Sequence, residues 1–333
     1  MARTIFLRLP NWLGDLVQAL PVVRAVAENP SRRALFVGPA AFEALLSPRF
    51  PSAAYIPATP GGRFAVAGAI RRHHPELALL LTDSLSSAIL AALALVPERI
   101  GYAAEFRDAL LTRRVPRAAP ARSAPRVEEY LALARAAGIA VAGERPRIEA
   151  LPGERLAAAS LLDAAGVRGV RFVVLAPGAA FGPTKRWSPE NFAKLAVALH
   201  ERHGTRSVLV GGREDAGPAA EVARIAGASA VNLAGATDLP SLTGLLDSSV
   251  LVASNDSGVM HLAAALGKPT VAVFGSTSPV WSAADAPWVR NLYAAYPCSP
   301  CFRRTCPIGY GCLRSIDAAR AIGAAEELLA AAR

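Results

Sequence analysis

Residues 250–275, VLVASNDSGVMHLAAALGKPTVAVFG, constrain this chain more than any other stretch. Two apolar runs flank an Asn255-Asp256-Ser257-Gly258 turn and a short segment stopped by Gly267, Lys268 and Pro269. The spacing predicts a strand over 250–254 and a second over 270–274. Between them it predicts a helix over 258–266 with Val259, Leu262, Ala263 and Leu266 as its buried stripe. This is a βαβ unit, the building block of a parallel sheet. Its polar residues gather at the strand-to-helix turn. The Asp256 carboxylate, the Ser257 hydroxyl as cap and the bare Gly258 amide are joined by the His261 imidazole, four residues after Ser257 on the same face. A helix N-terminus beyond the C-terminal end of a parallel strand is where open α/β sheets bind anions. The plainer alternative, a capped helix with a surface histidine, stays open on these residues alone.

The same alternation runs through the whole chain. Strands are expected over 4–9, 35–38, 54–57, 77–83 and 99–102, with helices over 16–27, 40–46, 68–72, 86–94 and 127–137. Residues 138–153 hold three glycines and two prolines and read as a linker. A connecting helix over 154–165 follows. The second series has strands over 171–176, 207–210, 230–233, 250–254, 270–274 and 289–293, and helices over 189–203, 217–225, 239–246 and 258–266. At 333 residues, 53% of them hydrophobic, the chain can form two cores. The expectation is two Rossmann-like domains, 1–153 and 154–315, with parallel sheets facing across a cleft. An Ala-rich helix over 316–332 has little polar surface and should pack against something, making 316–333 a third segment.

No run of about 18 apolar residues is free of charge or proline, so no membrane span is expected. The amino terminus enters a strand directly, without the apolar core of a signal peptide, which suggests a cytosolic protein. The formal net charge of +10 favours a polyanionic partner: nucleic acid, an anionic membrane surface or a phosphorylated substrate. Residues 103–126 concentrate that charge in Arg107, Arg113, Arg114, Arg117, Arg122 and Arg126, either as a solvated loop or as a cationic surface, and Arg63, Arg71 and Arg72 extend it. Phe106 is the only aromatic residue among them, and no nucleic-acid-binding signature occurs, which argues against nucleic acid.

Three further constellations fall at predicted strand ends. Asp15 follows Gly14 in the first turn of the first helix, where the helix dipole stabilises a carboxylate; capping and catalysis both fit. The run APGAAFGPTKRW from Ala176 to Trp187 has glycines that let backbone amides approach a diphosphate, and Lys185 supplies a point charge, although P-loop spacing is absent. Gly211-Gly212-Arg213-Glu214-Asp215 follows another strand, where an acidic residue holds ribose hydroxyls or caps a helix.

Together the opening RLPNWLGDLVQALPVVRAV, the run LAPGAAFGPTKRWSPENFAKLA, the stretch SNDSGVMHLAAALGKPTVAVFGSTSP and the terminal CSPCFRRTCPIGYGCLRSI resemble the ADP-heptose:lipopolysaccharide heptosyltransferases, most closely the heptosyltransferase II branch. The resemblance implies a GT-B architecture with an acceptor-binding first domain and a nucleotide-sugar-binding second domain. Similarity to two-domain glycosyltransferases, in which the last helix crosses back to the first domain, implies the same for 316–333. It implies inverting transfer of L-glycero-D-manno-heptose from ADP-heptose to the phosphorylated lipid A–Kdo/heptose inner core, with no cofactor required for catalysis and no nucleic acid. Peripheral contact with the cytoplasmic face of the inner membrane would follow. By the same resemblance Asp15 is the general base and Lys185 neutralises the departing diphosphate. Asp256, Ser257, Gly258 and His261 form the donor turn, with Ser276 and Thr277 as phosphate contacts. Thr237 is a nucleoside contact by spacing, and the adenosine-side carboxylate is Glu214 or Asp215. Where the heptosyltransferase I branch has threonines before its lysine, this chain has Ala180 and Phe181. A related GT-B enzyme using another nucleotide sugar is the competing reading.

Four cysteines, Cys298, Cys301, Cys306 and Cys312, lie in one 15-residue window with spacing C-x2-C-x4-C-x5-C. A structural zinc or iron thiolate site, free thiols and disulfides are all compatible, in that order of expectation. A metal there would order the loop and take no part in the chemistry.

Overall fold

The computed structural model describes residues 2–331 apart from Pro60, Glu105, Ala118, Ala119, Ala121 and Glu144. The chain divides into two compact units, Met1–Pro146 and Arg147–Arg333. The boundary falls seven residues before the expected one. Ile148 donates its amide to the Ala265 carbonyl at 3.0 Å, which ties the end of the expected linker to the second unit.

In the first unit β1 (Arg3–Arg8), β2 (Arg32–Gly38), β3 (Ala54–Pro57), β4 (Leu77–Leu80), β5 (Glu98–Tyr102) and β6 (Arg113–Val115) form a parallel sheet in the order β3-β2-β1-β4-β5-β6. Its helices are α1 (Leu13–Ala27), α2 (Glu43–Leu46), α3 (Arg63–Arg71), α4 (Leu85–Leu93) and α5 (Arg126–Ala136). The second unit has β7 (Phe172–Ala176), β8 (Arg206–Leu209), β9 (Ala230–Asn232), β10 (Val252–Asn255), β11 (Thr270–Phe274) and β12 (Val289–Tyr293), ordered β12-β11-β10-β7-β8-β9. Its helices are α6 (Pro152–Ala164), α7 (Pro189–His203), α8 (Ala216–Ala226), α9 (Leu239–Ser248), α10 (Gly258–Ala265), α11 (Pro279–Ser282), α12 (Gly311–Arg314) and α13 (Ala318–Ala331). Counted from its own first strand, each sheet has the doubly wound order 3-2-1-4-5-6. The order reverses between β1 and β4 and between β7 and β10, and ligands bind at such switch points.

Register brings the switch-point turns to one level. Ser254 lies beside Ala176, and Arg8 beside Leu80, so the turns after β7 and β10, and after β1 and β4, leave their sheets together. The central strands are buried runs without alternation, as β7 (FVVLA) and β11 (TVAVF) show, because helices cover both faces. Strand β6 was not expected. It is a three-residue edge strand whose Arg113 and Arg114 are exposed, so it carries charge where the expected pattern is apolar.

Helix α10 keeps its predicted start and stop. Gly267 at φ +77° ends it, with the Lys268 amide returning to the Ala263 carbonyl and the Gly267 amide to that of Ala264. The expected stripe holds only in part: Leu262 and Ala263 are buried, but Val259 and Leu266 are half-buried, and Met260, His261, Ala264 and Ala265 are buried instead. His261 is therefore an interior side chain and the surface-histidine alternative falls.

The apolar face of α13 is used inside the second unit. Ala321, Ala325, Leu328 and Leu329 enter the core with Val173, Leu195 and Val271, and the helix packs on α7, β11 and β12. It covers the end of the sheet that α7 leaves open, and each buried leucine contributes about 2 kcal/mol. The expected last helical residue, Ala332, lies outside the described residues.

Helix α6 docks on α9 through the bare backbone of Gly244. A Cβ there would stand 2.0 Å from the Glu154 carbonyl oxygen and 2.9 Å from the Ala158 Cβ. Gly244→Ala is expected to destabilise the protein by about 3 kcal/mol, because backbone cannot yield as a side-chain tip does. Gly323→Ala in α13 meets nothing within 4 Å and should stabilise by about 0.5–1 kcal/mol. Urea unfolding midpoints that moved in the same direction for both variants would contradict this packing.

Candidate active site

In the first unit, Asp15 is the third residue of α1. The helix N-cap is Trp12, with no side-chain cap bond. The Asp15 Oδ1 atom instead accepts from Tyr130 Oη at 3.1 Å and Arg126 Nε at 3.2 Å. Both donors project from α5, which packs against α1, and their i, i+4 spacing puts them on one face. Arg126 also pairs with Glu129. Glu129 in turn holds Arg117 at 2.9 Å, and Arg117 pairs with Asp83 beyond the end of β4. Capping of α1 is thus not the role of Asp15. The carboxylate has been pulled into an alternating ion-pair chain at the switch point.

That chain reassigns the basic segment. Arg117 and Arg126 are structural partners of carboxylates. Arg107 is fully buried, donating to the carbonyls of Tyr102 at 2.8 Å and Thr82 at 2.5 Å, and lying over Gly101. Only Arg113, Arg114 and Arg122 of the segment are exposed, together with Arg63, Arg71 and Arg72 on α3 and its end.

In the second unit, the turns after β7, β10 and β11 are laced together. Asn255 is fully buried; its Oδ1 accepts from the Trp187 amide at 2.9 Å and its Nδ2 donates to the Pro177 carbonyl at 2.8 Å. This clamp sets the loop that carries Lys185. The Lys185 Nζ lies 2.5 Å from Asp256 Oδ2, and that oxygen also accepts from the hydroxyls of Thr277 and Ser282. Lys185 and Asp256, separated by 71 positions, thus meet as a nearly buried ion pair at the switch point. Phe181, the departure noted in the sequence, lies under two cations: Lys185 Nζ is 5.1 Å and Arg304 Cζ 5.5 Å from its ring centroid.

The other expected contacts divide. Gly258 opens α10 and Ser257 is its N-cap residue, but the Ser257 hydroxyl contacts Ser254 Oγ at 2.9 Å and does not cap the helix. Ser276 is buried and its hydroxyl donates to Thr184 Oγ1 at 3.1 Å; Thr277 is spent on Asp256. Either would have to release an internal bond to reach a phosphate. Of the two candidate acids after β8, Asp215 is buried over Gly178 and accepts from the Gly212 amide at 3.2 Å. Desolvation raises its pKa, against the lowering effect of that amide. Glu214 is exposed. Thr237 is half-buried just before the Asp238 cap of α9. A cavity of about 410 Å³ lined by Pro177, Arg186, Trp187, Pro218, Tyr310 and Arg314, among others, includes none of the expected donor contacts.

The cysteine expectation is not supported. Cys298, Cys301, Cys306 and Cys312 are free. Among the described residues no group of three or more His, Cys, Asp or Glu side chains is placed to hold a metal ion. No step is assigned to a zinc or iron site. Hydrogen bonds order the loop instead: the Cys301 and Phe302 amides donate to the Ser276 carbonyl, Ser299 Oγ to the Gly275 carbonyl and Thr184 Oγ1 to that of Arg303. The Tyr310 and Ile308 amides lower the Cys306 thiol pKa, and burial raises that of Cys312. This lacing delivers Arg304 to Phe181, a placement no spacing in the sequence announces. The signal for Tyr130 and Arg126 was present, as an Arg-x-x-Glu-Tyr helix start, but long-range partners cannot be read from it.

No helix among the described residues is long and apolar enough to cross a membrane. A family model described as glycosyltransferase family 9 (heptosyltransferase) matches residues 63–310. Lipopolysaccharide heptosyltransferase 2 of Escherichia coli strain K12 is 30% identical over 290 residues, 81% of this chain and 82% of the relative. Lipooligosaccharide heptosyltransferase 2 of Haemophilus influenzae is 29% identical over 284 residues, 82% of this chain and 75% of the relative. The solved structure of E. coli ADP-heptose lps heptosyltransferase II matches with a TM-score of 0.81 at 28% identity, covering 99% of both chains. Matching in family model, in sequence over most of its length and in the paired six-stranded sheets of a GT-B enzyme, the chain belongs to glycosyltransferase family 9, the heptosyltransferases.

Proposed function

We propose that this glycosyltransferase moves L-glycero-D-manno-heptose from ADP-heptose, with inversion, to the phosphorylated inner core of lipopolysaccharide, as a heptosyltransferase II-type enzyme. The observation that carries the reading is the Lys185–Asp256 pair at the switch point of the second sheet, 2.5 Å apart and beside the N-terminus of α10. A diphosphate leaving group develops charge as its bond to the sugar breaks. An ammonium held in place before that moment stabilises it without reorganisation. Arg304, sharing the Phe181 ring, adds a second cation to the same task.

In this reading Asp256, Ser257, Gly258 and His261 bind the donor, with Ser276 and Thr277 behind them. Glu214 takes the ribose hydroxyls and Thr237 the nucleoside side. Asp15 takes the proton of the acceptor hydroxyl. The exposed Arg63, Arg71, Arg72, Arg113, Arg114 and Arg122 suit an acceptor rich in phosphate and carboxylate. Such an acceptor is lipid-borne, so the protein works at the cytoplasmic face of the inner membrane through peripheral contact.

Thermal-shift titration with ADP-heptose, ADP-mannose, UDP-glucose and GDP-mannose tests the donor. Saturation near 100 times the dissociation constant stabilises by about 2.7 kcal/mol, which moves the unfolding midpoint by about 5–10 °C. ADP-heptose should give that shift and the uridine and guanosine sugars little. Equal shifts from all four would reject the donor, and a largest shift with UDP-glucose or GDP-mannose would identify a different nucleotide-sugar enzyme.

A further inference from the structure

Asp15 is held asymmetrically. Its Oδ1 accepts from both Tyr130 Oη (3.1 Å) and Arg126 Nε (3.2 Å), whereas Oδ2 has no hydrogen-bond partner among the described residues. The side chain is 25% exposed, so one edge of the carboxylate meets solvent. Both donors are themselves fixed. Tyr130 is 1% exposed, and its phenol is kept protonated by burial, with the charge of Asp15 acting in the same direction. The Tyr130 phenol is the donor and Oδ1 the acceptor. Arg126 lies over the Tyr130 ring, 5.0 Å from its centroid, and its Nη1 is anchored on Glu129. Glu129 is shared with Arg117, which is tied to Asp83. No element of this arrangement stabilises α1 by capping, and its end product is a carboxylate with one oxygen occupied and the other presented.

We propose that Tyr130 and Arg126 are positioning residues that engage Oδ1 of Asp15 and so make Oδ2 the atom that receives the proton in transfer. The inference rests on the reading of Asp15 as general base. In the step, the acceptor hydroxyl gives its proton to Oδ2 while its oxygen forms the bond to the anomeric carbon. The bond from that carbon to the diphosphate oxygen breaks, and its electron pair leaves with the nucleoside diphosphate. The two donors hold the carboxylate plane against rotation. Glu129, Arg117 and Asp83 act one step further out, by keeping Arg126 from turning toward solvent.

The test compares Tyr130→Phe, Arg126→Gln and Arg126→Lys with wild type in kcat and in KM for ADP-heptose during heptosyl transfer. Turnover should fall about tenfold in Tyr130→Phe and Arg126→Gln with KM for ADP-heptose unchanged, and Arg126→Lys should recover part of the lost turnover. Phenylalanine fits the space of Tyr130. Should it still unfold the protein, the Arg126 pair at the start of α5 carries the test alone. Wild-type turnover in folded variants, or a loss carried by KM with no recovery in Arg126→Lys, would overturn the proposal, because a merely structural role does not confine the loss to kcat. Asp15→Asn separates the two readings: an active Asp15→Asn enzyme removes the base itself, whereas an inactive one with wild-type turnover in the other variants removes only the positioning.

Discussion

Asp15→Asn is expected to reduce heptosyl transfer by a factor of about 10²–10⁴, the usual range for a general base, and to leave ADP-heptose binding at its wild-type strength. The substitution keeps size and shape. The amide oxygen can still accept from Tyr130 and Arg126, so the α1–α5 contact survives. What is lost is the capacity of the second atom to take a proton, since an amide nitrogen is not a base. Donor binding is unaffected because every proposed donor contact, from Lys185 to Thr277, is built on the strand ends of the second unit. Single-turnover transfer and the ADP-heptose thermal shift measure the two halves separately. Wild-type turnover would reject Asp15 as the base. A collapse of the thermal shift together with turnover would make Asp15 a donor-binding residue instead.

Much of this fold was legible because parallel sheets covered on both faces announce themselves as short apolar runs. Strands β3, β11 and β12 have the expected bounds, and others differ by one to three residues at an end. What escaped was whatever charge disguised. Strand β6 hides behind Arg113 and Arg114, and Arg107 looks like a surface arginine until Tyr102, Thr82 and Ser87 are seen to enclose it. The strand ends that carry Asp15, Lys185 and Asp256 could be placed from the sequence, since each lies directly after an apolar run. Their partners could not. Tyr130 reaches Asp15 across 115 positions and Thr277 reaches Asp256 across 21, and nothing in local spacing encodes either pairing. Ser257 makes the same point on a small scale: the pattern called for a cap, and a closer hydroxyl on Ser254 took the bond.

Lys185→Ala should fail in two separable ways. Turnover is expected to drop by about 10²–10³, the effect of removing one preorganised charge from a developing oxyanion. The fold should also weaken, because Asp256 is 3% exposed and would lose its cation; breaking a buried ion pair from one side costs about 3 kcal/mol or more. Adding Asp256→Asn separates the two. The neutral side chain no longer needs a counter-charge and can still accept from Thr277 and Ser282. The double variant should therefore regain most of the lost stability and none of the lost turnover. Urea unfolding and steady-state transfer on the four proteins of the cycle give both numbers. If the double variant recovered turnover, Lys185 would serve only to neutralise Asp256. If Lys185→Ala lost turnover with no loss of stability, the ion pair would contribute nothing to the fold, and the lysine would be poised for the diphosphate alone.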